Sequence, residues 1–102
     1  MQIMFSSKTV ELTDKVKEFL LEKLDRLKKF PSLGLEQLQI VVDRVKRHGK
    51  TTSEAEVEVI AQMRGHRFAF KEVGENLYQA FYKVYAKVER RLSKEKRQRK
   101  GR

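Results

Sequence analysis

Apolar positions change period several times along the chain, and each change marks an element. Glu54-Ala55-Glu56-Val57-Glu58-Val59 alternates without a break. Three acids face one way and three apolar residues the other, as in a half-solvated antiparallel strand. Leu38, Ile40 and Val42 alternate with Gln39, Val41 and Asp43 in a second strand, and Phe68 and Phe70 with Arg67, Ala69 and Lys71 in another. Ile3 and Phe5 share a face within Gln2–Ser6, a short further strand. Elsewhere the period is helical. Val16, Phe19, Leu20, Leu24 and Leu27 recur at that spacing, with Thr13 as a fitting N-cap and Asp14 at the positive end of the helix dipole. Pro31 predicts an end near Lys29 or Phe30, because the residue before proline is driven out of the α region. Ser32-Leu33-Gly34 then makes the connection. From Glu75 onward a long second helix carries Leu77, Tyr78, Phe81, Tyr82, Val84, Tyr85, Val88 and Leu92.

Arg47-His48-Gly49-Lys50 and Met63-Arg64-Gly65 supply turns, and Gly74 closes the last strand. The predicted order is β-α-β-β-β-α, an α+β fold. Strands between residues 36 and 72 joined by short turns predict an antiparallel meander, to which Ile3–Phe5 adds a fourth strand. One-sided strands and two amphipathic helices predict a two-layer sandwich with both helices on the apolar face of the sheet. A chain of 102 residues supports one modest core. Residues 1–94 are read as the folded domain and 95–102 as a basic tail.

Charge sharpens this picture at one end. The formal net charge is +10, and residues 87–102 hold nine basic and two acidic side chains, so +7 of it is local. Solubility needs no such clustering; a directed positive field suits an anionic partner, and a large polyanion better than a small substrate.

Catalysis is poorly served. The chain has no cysteine, which excludes disulfides, zinc thiolates and thiol chemistry. His66 with Glu72 or Glu75 can be drawn as a base and its orienter, but no nucleophile stands at a diagnostic spacing, and a surface or partly packed histidine is the better reading. Glu54, Glu56 and Glu58 lie about 7 Å apart along one strand face, and a metal would need ligands converging from elsewhere. No GxGxxG, GxxxxGK[ST] or HExxH pattern occurs. The expectation is a protein that is not an enzyme, without cofactor, metal or small-molecule substrate. Met1–Lys8 does not read as a signal peptide, and no apolar run approaches the roughly 20 residues of a membrane helix. A cytoplasmic protein without membrane contact is expected.

The acidic strand helps to place the site. Its glutamates belong to the sheet face turned away from the helices, where phosphates would be repelled. Base stacking on exposed sheet aromatics is therefore disfavoured, and a KH-type clamp would need a GxxG loop that is absent. The helical side and its edges remain. The first helix carries Lys15, Lys17, Lys23, Arg26, Lys28 and Lys29, offset by Glu18, Glu22 and Asp25. For Lys23, Arg26, Lys28 and Lys29, phosphate binding and i,i+4 pairing of the type Glu18–Glu22–Arg26 stand level. Arg90, Arg91, Lys94 and Arg97 make a clearer case, because few acids sit near them in sequence. Tyr78, Tyr82 and Tyr85 form a second stripe, which core packing with hydroxyls at the rim explains better than base stacking.

These residues also carry a family resemblance. Met1-Gln2-Ile3, then Val10-Glu11-Leu12-Thr13 leading into Glu22-Lys23-Leu24-Asp25-Arg26-Leu27-Lys28-Lys29-Phe30, resembles the start of the ribosome hibernation promoting factor family, within the ribosome-associated translation inhibitor and sigma-54 modulation superfamily. Glu75-Asn76-Leu77-Tyr78-Gln79-Ala80, continuing to Lys87-Val88-Glu89-Arg90-Arg91-Leu92-Ser93-Lys94, is similar to that family's second helix. The resemblance covers nearly the whole chain in the same element order. It implies a fold similar to a double-stranded-RNA-binding domain with an added strand. It further implies binding to the small ribosomal subunit and its rRNA, occlusion of the mRNA and tRNA channel in idle ribosomes, and a stress-linked block of translation. Carried over by position, the RNA contacts are Lys23, Arg26, Lys28, Lys29, Lys83, Lys87, Arg90, Arg91 and Lys94. The chain departs from the family at Asn76-Leu77, where an acid and Met are common, and at Phe81-Tyr82, where Ile-Asp is common. A short form, monomeric off the ribosome, is expected. The charge and shape alone would equally suit a general binder of double-stranded RNA or DNA, or a module docking an acidic protein.

Overall fold

The computed structural model describes residues 2–29 and 34–100; the side chains of Lys28, Lys29, Arg99 and Lys100 lie outside the described residues. The elements are β1 (Gln2–Ser6), α1 (Asp14–Leu24) running into a 3-10 turn (Asp25–Lys29), β2 (Leu35–Arg47), β3 (Lys50–Met63), β4 (His66–Gly74) and α2 (Leu77–Lys100). The predicted β-α-β-β-β-α order is observed, in a single four-stranded sheet of order β1-β2-β3-β4.

Two tight hairpins set the register of β2, β3 and β4. His48 and Gly49 occupy left-handed conformations (φ 52° and 77°) between the paired residues Arg47 and Lys50, the geometry of a two-residue hairpin turn. Arg64 and Gly65 join Met63 to its partner His66, with Gly65 at φ 88°. The Gln62 side-chain amide donates to the carbonyls of Met63 and His66 and so ties this second turn together. β1 differs from its neighbours: it pairs parallel to β2, from Gln2 opposite Gln37 to Ser6 opposite Val41. Asp43 of β2 fixes the chain leaving β1, its Oδ1 accepting from the backbone N–H groups of Lys8 and Thr9 and from the Thr9 hydroxyl.

The alternation read along the strands decides what is buried. Leu38, Ile40 and Val42 of β2, Ala55, Val57, Val59, Ala61 and Met63 of β3, and Phe68 of β4 face the core. Leu20, Leu24 and Leu27 from the first helical segment and Ala80, Phe81, Val84, Val88 and Leu92 from α2 complete it. Both helices thus cover one face, and α2 lies over β3 and β4. Glu54, Glu56 and Glu58 stand on the opposite face, where Glu54 binds Arg47 and Glu56 lies 3.7 Å from Lys71.

Thr13 caps α1 as expected, its Oγ1 accepting from Val16 N–H. α1 does not stay α-helical to Lys29: it tightens into the 3-10 turn at Asp25. Pro31 itself lies outside the described residues. α2 begins at Leu77 rather than Glu75, because Asn76 is its cap: Asn76 Oδ1 accepts from Gln79 N–H while Gln79 Oε1 accepts from Glu75 N–H. At its far end α2 runs unbroken across the Lys94–Glu95 boundary to Lys100. Residues 95–100 of the expected basic tail continue the same helix; Gly101 and Arg102 lie outside the described residues.

Candidate nucleic-acid interface

Position along α2 sorts the basic side chains. Lys83 and Lys87 are four residues apart, and Arg90 and Arg91 each stand three or four residues from both Lys87 and Lys94, so the five share the flank of the helix that leans over β4. The row rises about 16 Å along the axis from Lys83 to Lys94 at 1.5 Å per residue. Beneath it, Phe70 of the edge strand stays partly open. Phe70, Lys87, Arg90, Arg91 and Lys94 together line a depression of about 290 Å³. A floor of one aromatic ring under four cations can hold phosphates at the rim and an apolar edge below.

Local contacts divide these cations. The Lys83 ammonium donates to the Val73 carbonyl at 3.1 Å, which holds the first turns of α2 to the end of β4. Lys87 pairs with Glu72 on β4, and the Lys87 ammonium holds the Glu72 carboxyl below the usual carboxylate range, through hydrogen bonding first and charge second. Arg91 lies with its guanidinium 4.9 Å from the Phe68 ring centroid and donates from Nε to Glu95 Oε1 at 3.0 Å. Arg90 and Lys94 are exposed and make no ion pair among the described residues. The row is therefore less acid-free than the sequence suggests, since Glu72 and Glu95 reach Lys87 and Arg91. Arg90 and Lys94 are the members most open to phosphate.

His66 also finds a different partner from those expected. Its Nε2 donates to Glu95 Oε1 at 3.0 Å, while neither Glu72 nor Glu75 is bonded to it. Glu95, with a side chain only 12% exposed, takes both His66 and Arg91 on one oxygen. Burial works to raise its pKa, but the hydrogen bonds from His66 and Arg91 outweigh that and hold it below the usual carboxylate range. The three residues latch α2 onto the β3–β4 hairpin and fix the direction in which the cationic row points. This is a positioning device without a nucleophile. Among the described residues no cluster of three or more His, Cys, Asp or Glu is placed to hold a metal, and no helix is long and apolar enough to cross a membrane.

Lys23 and Arg26 of the first helical segment stand on the other flank of α2, beside its tyrosines. Lys23 lies 5.7 Å from the Phe19 ring centroid and 6.0 Å from that of Tyr82. Among the described residues no ion pair joins Glu22 to Arg26; Arg26 acts instead on Tyr85 across the seam. Burial and then the Glu89 carboxylate raise the pKa of the Tyr85 hydroxyl, and Arg26 opposes them. Tyr78 and Tyr82 pack against Phe19 yet stay nearly half exposed, while Tyr85 is packed against the core. The side chains of Lys28 and Lys29 lie outside the described residues. Sequence reasoning missed Phe70 and Phe19 as parts of the cationic surface, and Glu95 as its anchor. The alternation of Phe68 with Phe70 places both under the helices but does not say that the edge-strand member stays half open.

The fold is a small two-layer α+β domain with a strongly basic helical layer. The comparisons identify the family: residues 3–100 match the model of the sigma 54 modulation protein / S30EA ribosomal protein family, and the chain belongs to it. This bears out the resemblance carried by the two helices. Solved structures share the fold. A ribosomal subunit interface protein from Coxiella burnetii superposes with TM-score 0.77 at 18% identity, over 94% of this chain and 98% of that one. The N-terminal domain of Thermus thermophilus Protein Y superposes with TM-score 0.73 at 18% identity, over 91% of this chain and 93% of that one. No curated protein matches by sequence.

Proposed function

We propose that this chain is a cytoplasmic, non-catalytic factor that binds the small ribosomal subunit through its rRNA and occludes the mRNA and tRNA channel of idle ribosomes. The observation that carries the reading is the cationic row of α2 over an aromatic floor, on the one layer of the molecule that the acidic sheet face leaves open to phosphate. Membership of a ribosome-associated family supports it, as does likeness to a protein described as a ribosomal subunit interface protein. Lys83, Lys87, Arg90, Arg91 and Lys94 make the main contact, with Lys23, Arg26, Lys28 and Lys29 as the second group.

Co-sedimentation with small subunits at moderate salt tests this. The protein is expected to travel with the subunit, and its recovery at the top of the gradient overturns the proposal. An Arg90→Gln/Lys94→Gln variant spares the Arg91 latch and stays folded. Two lost phosphate contacts should lower the slope of log K against log salt by about 1.4–1.8, at roughly 0.7–0.9 per contact. An unchanged slope assigns binding to other residues. Bulk duplex RNA in excess should compete poorly; effective competition would favour a general duplex binder.

A further inference from the structure

On the flank of α2 away from the basic depression, three aromatic rings meet at the surface between the helices. Phe19 of α1 packs edge-on against Tyr78, with centroids 5.0 Å apart and planes at 86°. It meets Tyr82 in the same way, at 5.9 Å and 86°. Phe81 beneath them is fully buried, yet Tyr78 and Tyr82 remain 44% and 49% exposed. Core packing accounts for Phe81; it does not account for two rings left half open side by side. Tyr85, on the same stripe, is excluded from any outward role, since its hydroxyl is buried beside Glu89.

The rim of this platform selects its occupant. Lys23 reaches over Phe19 and Tyr82, and Arg26 stands exposed one turn further along the chain. An apolar protein surface would gain nothing from those two cations, whereas a nucleotide uses both features: a flat π-face for the rings and a phosphate for the lysine. The bases of an A-form duplex are closed to such stacking, because their faces are already covered by their neighbours.

We propose that the seam between α1 and α2 receives one unpaired nucleobase of single-stranded RNA, stacked on Tyr82 with the adjoining phosphate on Lys23. The inference rests on the RNA-binding function above and adds that this flank reads an unpaired nucleotide. Phe19, edge-on to Tyr82, and Phe81 beneath it hold the Tyr82 ring in place.

The test uses a single-stranded RNA bearing one central 2-aminopurine and a duplex of the same length. The intact protein is expected to quench the 2-aminopurine on binding the single strand. Tyr82→Leu, which keeps an apolar contact with Phe19, should abolish the quench and weaken single-strand binding about tenfold, within the range measured for a stacked base. Duplex affinity should hold, and Tyr82→Phe should restore both signals. RNA binding without a quench, or equal losses on single strand and duplex, overturns the platform alone. Failure to bind the single strand by a protein that still co-sediments with the small subunit overturns the platform alone; failure of both overturns the platform together with the function on which it rests.

Discussion

Gly74 is the point at which the sheet hands over to the cationic helix, and Gly74→Ala tests how tightly that handover is built. A Cβ at this position would lie 2.5 Å from the Ala80 amide nitrogen, 2.9 Å from Ala80 Cα and 3.0 Å from the Gln79 carbonyl carbon. All three are backbone atoms of the first turns of α2, so no side chain can swing aside. Ordinary contact begins near 3.4 Å, leaving a shortfall of about 0.9 Å at the nitrogen. The helix start must retreat by that much, and with it the Asn76 cap and the Lys83–Val73 bond. Overpacking typically costs about 1–3 kcal/mol, and rigid backbone places this case at the upper end. At about 4–8 °C per kcal/mol for a domain of this size, the melting temperature should fall by roughly 12–24 °C. Gly49→Ala is the control: its added Cβ meets nothing within 4 Å and suffers only the strain of φ +77°. Thermal unfolding followed by far-UV circular dichroism reads both variants. A Gly74→Ala protein melting within 2–3 °C of the parent, or above Gly49→Ala, would refute the close-packed junction.

Two further predictions concern the ends of α2. Asn76→Ala removes the side-chain acceptor for Gln79 N–H and should cost about 1 kcal/mol in chemical denaturation, with an unchanged m-value. Glu95→Gln keeps the hydrogen-bonding oxygen but removes the charge that His66 and Arg91 surround. Because the folded carboxyl is held below its unfolded pKa, its contribution is present above about pH 4.3 and fades as pH falls through the folded value. The stability gap between parent and variant, about 1 kcal/mol at pH 6, should therefore close on acidification. A gap that widens towards pH 3 would contradict the latch.

Much of the fold was legible in the residues because its elements are one-sided. Ala55, Val57 and Val59 are buried and their intervening glutamates are not, as strict alternation demands. Thr13 and Gly74 marked boundaries for local reasons of capping and close approach. What stayed hidden depended on partners distant in sequence. A period-2 pattern in Gln2–Ser6 shows which face is apolar, but not that the strand lies parallel to β2. Glu95 reads as one of two acids in a basic stretch, and only the fold brings His66 to it across 29 residues. The candidate basic residues were visible as charge, while their division into anchored and open members was not. Lys87 and Arg91 are distinguished from Arg90 and Lys94 by Glu72 and Phe68, which the sheet supplies, and by Glu95 one turn further along α2.

The parallel pairing of β1 also bears on the order of assembly. β2, β3 and β4 are joined by two-residue turns, so their ladders can zip from neighbours already in contact. β1 must wait for a partner 35 residues downstream, with α1 folded in between, and closing that long loop is entropically slower. β1 is thus expected to dock last. In amide exchange its protection should appear latest during refolding and be lost earliest as the sheet opens, leaving the β2–β4 meander and α2 as the cooperative unit that keeps the cationic face assembled.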